Sequence, residues 1–366
     1  MTIDFANLKE AHREQQAEIE EAMTNIARNA QYIMGQEVSG LETALAAFVG
    51  EGKAAACSSG SSALLLAILA LGLTPGDEVI TTPFSFIASS SMLALLGVKP
   101  VFVDIAPDDF NIDPAQIESA ITHKTKAILA VSLYGQPPNL ELLEQIAQRQ
   151  DLRLIIDGAQ SFGATFNKRK DSAFGDIATT SFFPSKPLGC YGDGGAVFTR
   201  DEELAARLFS LHLHGQSERY VHPLLGINGR LDSLQAAVLR IKLRIFEDTL
   251  ARRNKVAQQY SELLAGCAGV VVPRVCEGRT SSWAQYTLRV PNRDALAERL
   301  HGAQIPTAVH YPLGLHLQQC FESLGHELGD FPETEKASAE VLSLPMNPYL
   351  SEEQIQHIVQ TLKDNL

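Results

Sequence analysis

"IATTSFFPSKPLGCYGDGGAVFTR", residues 177–200, carries two short apolar or β-branched runs, IATTSFF (177–183) and GAVFTR (195–200), around a loop of prolines and glycines. Runs of this length bounded by turn residues read as strands. The loop holds a single lysine, Lys186, between Ser185 and Pro187. Lysines ordinarily sit on solvated helix faces in company with other charges, so one set alone after a strand asks for a reason.

The same rhythm extends towards the N-terminus. EVITTP (78–83), KPVFVDI (99–105), KAILAVSLYG (126–135) and LRLIIDGAQ (152–160) are strand-like, and helical patterns such as SSALLLAILALGL, IASSSMLALLG and NLELLEQIAQRQ alternate with them. Such alternation predicts an α/β fold, a mostly parallel sheet between helices, with ligands bound beyond the carboxyl ends of its strands. RLDSLQAAVLRIKLRIFEDTLARRNKVAQQYSELLAG (230–266) reads as one long helix or two joined ones, with Asp232 as N-cap. WAQYTLRV then reads as a strand and NRDALAERLHGAQI as a helix, and SEEQIQHIVQTLKDNL closes the chain as an amphipathic helix. The expected division is a large unit over 1–249 and a smaller C-terminal α+β unit over 250–366. The first fifty residues are helical and are expected to pack on the smaller unit or on a partner subunit.

At 366 residues the chain is long enough to bury a core without metal or disulfide support. A net charge of −13 argues against nucleic acid or an anionic membrane as a partner. The five cysteines form no C-x-x-C pair and read as reduced thiols; no metal site is expected. Neither a signal-peptide pattern nor an apolar run of membrane-spanning length is evident, so the expected location is the cytoplasm.

Four strand ends carry unusual residues. After "AAAC" the chain passes through Ser58, Ser59, Gly60, Ser61 and Ser62 straight into an apolar helix. Small residues there let amide groups approach an anion, although a serine-rich N-cap has the same composition. TTPFSFIAS ends a strand with two aromatic rings; Phe86 is either a stacking plate or, as is commoner for phenylalanine, core. Asp157 ends a wholly apolar strand, and a buried carboxylate needs a partner: a helix N-terminus, an arginine or a cationic ligand. Gln160 is three residues further on and can face the same place. Finally, Ser181 and Lys186 follow the strand 177–183. A lysine in a partly dry pocket loses basicity and becomes nucleophilic towards a carbonyl carbon; paired with a surface carboxylate it would be inert.

Together these groups match the requirements of pyridoxal 5′-phosphate. A lysine forms a Schiff base with its aldehyde, an aspartate keeps its ring nitrogen protonated, a serine–glycine loop holds its phosphate and an aromatic plate covers its ring.

The segments QYIMGQEV, TPGDEVITTPFSFIAS, VSLYGQ, DGAQSFGA, SFFPSKPLGCYGDGGAVFTR, RLDSLQAAVL and AVHYP, spread over nearly the whole chain, resemble the DegT/StrS sugar-nucleotide aminotransferases. The resemblance is nearest to those acting on UDP-2-acetamido-2-deoxy-3-oxo-glucuronate. It implies a fold-type I aminotransferase, with Lys186 as Schiff-base lysine and proton carrier. Asp157 would then serve the pyridine nitrogen, Gln160 the ring hydroxyl and Phe86 the stacking face. Ser181 with Gly60, Ser61 and Ser62 would form the phosphate cradle. Asn228 would reach the phosphate from the neighbouring subunit of a homodimer with shared sites. Arg230 would bind a carboxylate of sugar or donor, its alternative being a structural pair with Asp232 or a helix end. His310 and Tyr311 would face the substrate. The resemblance further implies glutamate as donor, 2-oxoglutarate as its product, and a role in O-antigen or other surface polysaccharide synthesis. His316, in HYPLGLHLQQC, has a counterpart in relatives acting on dTDP-linked 3-oxo- or 4-oxo-6-deoxyhexoses, which keeps that substrate class open. A sugar dehydratase of the family would replace the lysine, whereas a regulatory protein would bind the cofactor without turnover.

Two stretches depart from the common family pattern. Gly-Thr-Asp-Ala-Leu is replaced by Gly60-Ser61-Ser62-Ala63-Leu64, and Gly158 stands where alanine is common.

Overall fold

The computed structural model describes residues 2–50 and 52–366 and gathers the strand-like runs into one seven-stranded sheet. In chain order the strands are β1 (Lys53–Cys57), β2 (Glu78–Thr81), β3 (Lys99–Phe102), β4 (Thr125–Val131) and β5 (Arg153–Asp157). A small hairpin of β6 (Thr165–Phe166) and β7 (Arg169–Lys170) follows, then β8 (Ile177–Ser181) and β9 (Gly195–Thr199). Across the sheet the order is β1-β9-β8-β5-β4-β2-β3. Pairing is parallel from β8 to β3 and antiparallel on both sides of β9. The architecture is thus the mostly parallel, helix-covered sheet expected.

The apolar strands are buried on both faces, and the two-residue period divides them between two cores. Ile128, Ala130, Leu154 and Ile156 enter the core on one face with Leu41, Phe162 and Phe198. Ala127, Leu129 and Ile155 enter the other with Leu66, Val79 and Val197. The return strand β9 fits only because it starts with glycine. A Cβ on Gly195 would lie 2.5 Å from the Ser59 carbonyl oxygen and 2.8 Å from that of Thr180.

The 230–266 segment is two helices, Ser233–Leu243 and Phe246–Leu264, and the Asp232 side chain accepts the Gln235 N–H as N-cap. The second helix joins two cores. Phe246 and Leu250 belong to the core of the main sheet. Val256, Tyr260 and Leu264 belong to a separate cluster with β10 (Tyr286–Arg289), β11 (Val341–Leu344) and the final helix Glu352–Asp364.

Of the two sites expected for the N-terminal segment, the smaller unit receives little of it. Only its first residues reach the smaller cluster: Ile3 is buried in it, and Asn347 Nδ2 donates to the Asp4 carbonyl at 3.0 Å. The helices Gln16–Asn29 and Gln36–Val49 pack on Ser233–Leu243 instead. The cause is the stripe Val38, Leu41, Leu45 and Val49, whose helical spacing covers the main core. Among the described residues no helix is long and apolar enough to cross a membrane, and no three His, Cys, Asp or Glu side chains could hold a metal ion.

Candidate active site

The carboxyl ends of β1, β5 and β8 supply the centre of the site. Asp157 closes β5, and Ser181 closes the adjacent β8. Gly60 opens the helix Gly60–Ala70 after β1 and lies hard against Ser181: a Cβ added to Gly60 would meet the Ser181 Cβ at 2.7 Å. Ser59 caps this helix, its Oγ accepting the Ser62 N–H at 3.0 Å. The Ser62 hydroxyl is tied to Ser58 Oγ at 2.8 Å and to Ser59 Oγ at 3.0 Å. The N–H groups of Gly60 and Ser61 are in the first turn, where they have no acceptor inside the helix, and the helix end carries partial positive charge. The N-cap therefore leaves this helix start able to receive an anion.

Asp157 is 6 % exposed and receives one hydrogen bond, from the Ala159 N–H at 3.1 Å. Neither an arginine nor a helix end pairs with it among the described residues. Lys186 is partly buried, its backbone N–H donating to the Phe183 carbonyl at 2.9 Å, and its ammonium has no carboxylate partner among the described residues. Burial lowers the Lys186 pKa while the charge of Asp157 opposes that shift. Burial raises the Asp157 pKa, opposed first by the Ala159 N–H and then by Lys186. A cation placed against Asp157 and discharge of the lysine would relieve both groups.

Gln160 is held between two tyrosines. Its Oε1 accepts the Tyr134 N–H at 2.8 Å, and its Nε2 donates to the Tyr311 hydroxyl at 3.2 Å. The Tyr311 ring lies 6.3 Å from that of Phe86 and 6.4 Å from that of Phe84. Of these two phenylalanines it is Phe84 that is core, fully buried beside Phe110; Phe86 is 55 % exposed. The commoner expectation for Phe86 is thereby corrected. Phe84 fills the apolar space, and the turn leaves the second ring at the opening.

His310 Nδ1 lies 3.0 Å from Ser343 Oγ. Burial, with a contribution from the charge of Lys186, pushes its pKa down to about 4, so the ring is neutral near pH 7. The Tyr134 hydroxyl donates to the His310 carbonyl, which makes Tyr134 a strut between Gln160 and the His310–Tyr311 segment. Tyr134 is absent from the residues that the sequence marks as candidates, although VSLYGQ follows a strand as they do.

Arg230 forms an isolated bridge with Cys57 at the end of β1. Its Nε is buried without a hydrogen-bond partner. The alternative, a structural pair with Asp232, does not form, because that carboxylate serves its own helix. Asn228 is exposed, bridged to Leu213, and its side chain bonds none of the other candidates among the described residues. His316 is buried, its Nε2 3.2 Å from Glu335 and its ring against Phe331.

This set of groups fits pyridoxal phosphate. A nearly unpartnered buried carboxylate suits a protonated ring nitrogen, a lysine of lowered basicity suits the aldehyde, and a glycine-lined helix start suits the phosphate. Comparison with known proteins agrees. A model of the DegT/DnrJ/EryC1/StrS aminotransferase family matches residues 13–363. The chain is 45% identical to the UDP-2-acetamido-2-deoxy-3-oxo-D-glucuronate aminotransferase of Pseudomonas aeruginosa, over 98% of this chain and 99% of that protein. It is 44% identical to a pleiotropic regulatory protein of Geobacillus stearothermophilus, over 100% and 98% of the two chains. Among solved structures, S. venezuelae DesV in complex with a ketimine intermediate superposes with a TM-score of 0.97 at 37% identity, covering 99% of this chain and 98% of that one.

Proposed function

The chain belongs to the DegT/DnrJ/EryC1/StrS family and is a pyridoxal-phosphate-dependent aminotransferase of fold-type I; from that premise we propose that it moves the amino group of glutamate to the 3-oxo group of a nucleotide sugar. The proposed substrate is UDP-2-acetamido-2-deoxy-3-oxo-D-glucuronate, named by the P. aeruginosa relative. The observation that carries this choice is Arg230: a partly buried guanidinium without a carboxylate partner among the described residues. An acidic sugar supplies the missing carboxylate in the forked geometry arginine prefers. A 6-deoxyhexose on a dTDP carrier does not.

When bound, pyridoxal phosphate supplies an aldehyde that carries the amino group and a ring that accepts electrons as a carbon–hydrogen bond breaks. The phosphate would be held by Gly60, Ser61, Ser62 and Ser181. Phe86 would cover the ring and Gln160 would meet its hydroxyl. Asp157 would hold the proton on the ring nitrogen, its negative charge offset by the cation it faces. Lys186 would hold the cofactor covalently. Once displaced, its Nζ would take the proton from the amino-bearing carbon of the donor and return it at the other end of the transfer. Suppressed basicity leaves more of this amine neutral near pH 7, the form that accepts a proton. Holding the reacting groups together in this way is worth about 7–11 kcal/mol of barrier. His310 and Tyr311 would position the sugar. The unit 250–366, which contributes both, would act as a cap on the cofactor-holding unit 1–249.

We also place the enzyme in the cytoplasm as a homodimer, serving surface polysaccharide synthesis. Exposed Asn228, together with exposed Tyr220 and Leu225 nearby in the chain, supports a partner contact in which Asn228 completes the neighbour's phosphate site.

The test is absorption spectroscopy followed by product analysis. Glutamate should convert the lysine-linked band of the purified protein to that of the amine form. The 3-oxo-glucuronate nucleotide should then reverse the change and yield its 3-amino product. Arg230→Ala should cost that substrate about 2–4 kcal/mol of transition-state binding while sparing a dTDP-3-oxo-6-deoxyhexose. An equal loss with both would assign Arg230 to the donor carboxylate instead. Retained cofactor with no conversion of any keto sugar would favour a cofactor-binding regulator.

A further inference from the structure

Lys242, near the end of helix Ser233–Leu243, is a second amine held on the loop that carries Lys186. Its Nζ donates to the Gly189 carbonyl at 2.7 Å and lies 4.6 Å from the centre of the Tyr191 ring. It makes no ion pair with a carboxylate among the described residues. Burial pushes its pKa down to about 8, so the protein accepts a desolvation cost at this position. A cation near a helix C-terminus is favoured by the helix dipole, yet this one bonds the lysine loop, not its own helix carbonyls.

A second contact runs from the same helix to the same loop. Gln235 Oε1 accepts the Tyr191 N–H at 2.8 Å. Gln235 and Lys242 are separated by two helical turns, which puts them on one face about 10 Å apart. That face therefore grips residues 189 and 191. The loop between them and Lys186 is closed on itself. The Cys190 N–H donates to the Phe182 carbonyl at 2.8 Å, and a Cβ on Gly189 would lie 2.3 Å from the Pro184 carbonyl oxygen. A cavity of about 50 Å³ under the loop is lined by residues Lys186 and Lys242 among others. Gly189 thus bears directly on Phe183 and Pro184, and the Phe183 carbonyl in turn accepts the Lys186 N–H.

We propose that Lys242 is a positioning residue for the cofactor-bearing lysine, its ammonium fixing the Gly189 carbonyl and thereby the loop on which Lys186 stands. The inference rests on the cofactor-binding role proposed for Lys186. Cys190 and Tyr191 of the loop lie beside the Lys242 ammonium, and Glu14, Arg253 and Tyr349 line the same cavity.

The experiment compares holoenzyme carrying Lys242→Met or Lys242→Arg with the parent. It reads the rate of cofactor release from decay of the lysine-linked absorption band, and the Tm of the cofactor-free protein. Lys242→Met removes the charge but keeps the stem. Release should be about tenfold faster, the scale of one charge-assisted hydrogen bond. The cofactor-free Tm should be unchanged or higher, because relief of the desolvation cost of a buried cation without a carboxylate partner offsets the lost hydrogen bond. A purely structural role would lower the Tm together with cofactor retention. Lys242→Arg, which keeps a cationic donor, should restore slow release. Parental release by Lys242→Met, or acceleration matched by a lost Tm, overturns the proposal. Should that variant not fold, Gln235→Ala removes the other grip and is judged by the same two readouts. Lys186→Ala run alongside separates the two ideas. If it keeps the lysine-linked band, the cofactor-binding role of Lys186 falls and this inference with it. If it loses the band while Lys242→Met behaves as the parent, only this inference falls.

Discussion

Replacing Gly60 by alanine sets two local effects against each other. Gly60 is the first residue of helix Gly60–Ala70, and its φ is not in the left-handed region, so alanine is conformationally allowed. Glycine-to-alanine gains about 1 kcal/mol inside a helix and less at the first position. Against this, the new Cβ would stand 2.7 Å from the Ser181 Cβ and 3.1 Å from its Oγ. The obstructing Cβ is fixed to the end of β8 and cannot swing aside as the tip of a long side chain would. Overpacking of that kind costs about 1–3 kcal/mol, so the clash outweighs the helix gain. The expected net loss is about 1–2 kcal/mol, a fall of a few degrees in the Tm of the cofactor-free protein. A double-mutant cycle with Ser181→Gly isolates the contact. The second change costs stability alone, because a strand glycine is flexible, but it removes the obstructing atom. The coupling between the two should be favourable by about 1–2 kcal/mol. Thermal melts of the four proteins without cofactor give the number. A Gly60→Ala protein that melts at or above the parent, or a coupling of zero, would refute the close approach of the β1 and β8 ends.

The two phenylalanines of TTPFSF should separate stability from cofactor retention. Phe84→Ala should cost about 3–5 kcal/mol in denaturant melts, whereas Phe86→Ala should stay within about 0.5 kcal/mol yet release the cofactor faster; equal effects on stability would contradict the burial difference. Asp171 is fully buried, accepting hydrogen bonds from Ser161 and Ser172, and burial raises its pKa from 3.8 to about 7. The native state thus binds this proton more tightly than the unfolded chain, so the stability it contributes is complete below pH 3.8 and is lost as pH rises through about 7. Asp171→Asn should flatten that part of the Tm–pH curve, and an unchanged slope would show that the carboxyl does not titrate there.

Much of the site is legible in the sequence because burial and charge conflict at strand ends. A carboxylate after LRLII and a lone lysine between serine and proline are costly placements that a bound cofactor relieves, and both stand where the sheet topology requires. Phe86 is not legible from TTPFSF, since either ring could fill the core; the turn that follows β2 decides which. Asp171 lies in RKDSAFGD, which has the composition of a solvated loop, and becomes buried only because β6 and β7 fold the segment back beneath the turn carrying Asp157. The packing of the N-terminal helices escapes the sequence for a related reason. The stripe Val38–Val49 shows that a face is buried but not which core receives it.

The position of β9 also bears on how the chain is made. Among the described residues β1 has one strand neighbour, β9, and their register pairs Cys57 with Gly195. During synthesis the ribosome must therefore add the whole stretch between them before β1 can enter the sheet, a delay on the order of ten seconds at ~5–20 residues per second. Through that interval Lys-Ala-Ala-Ala-Cys would offer bare main-chain edges, the kind of surface that joins strands of other chains. One safeguard is available early, because Glu42 in the preceding helix accepts the Ala56 N–H at 3.0 Å and can cover part of one edge as soon as both have emerged. The other edge waits for Gly195, which makes the glycine-rich end of the lysine loop a checkpoint in biosynthesis.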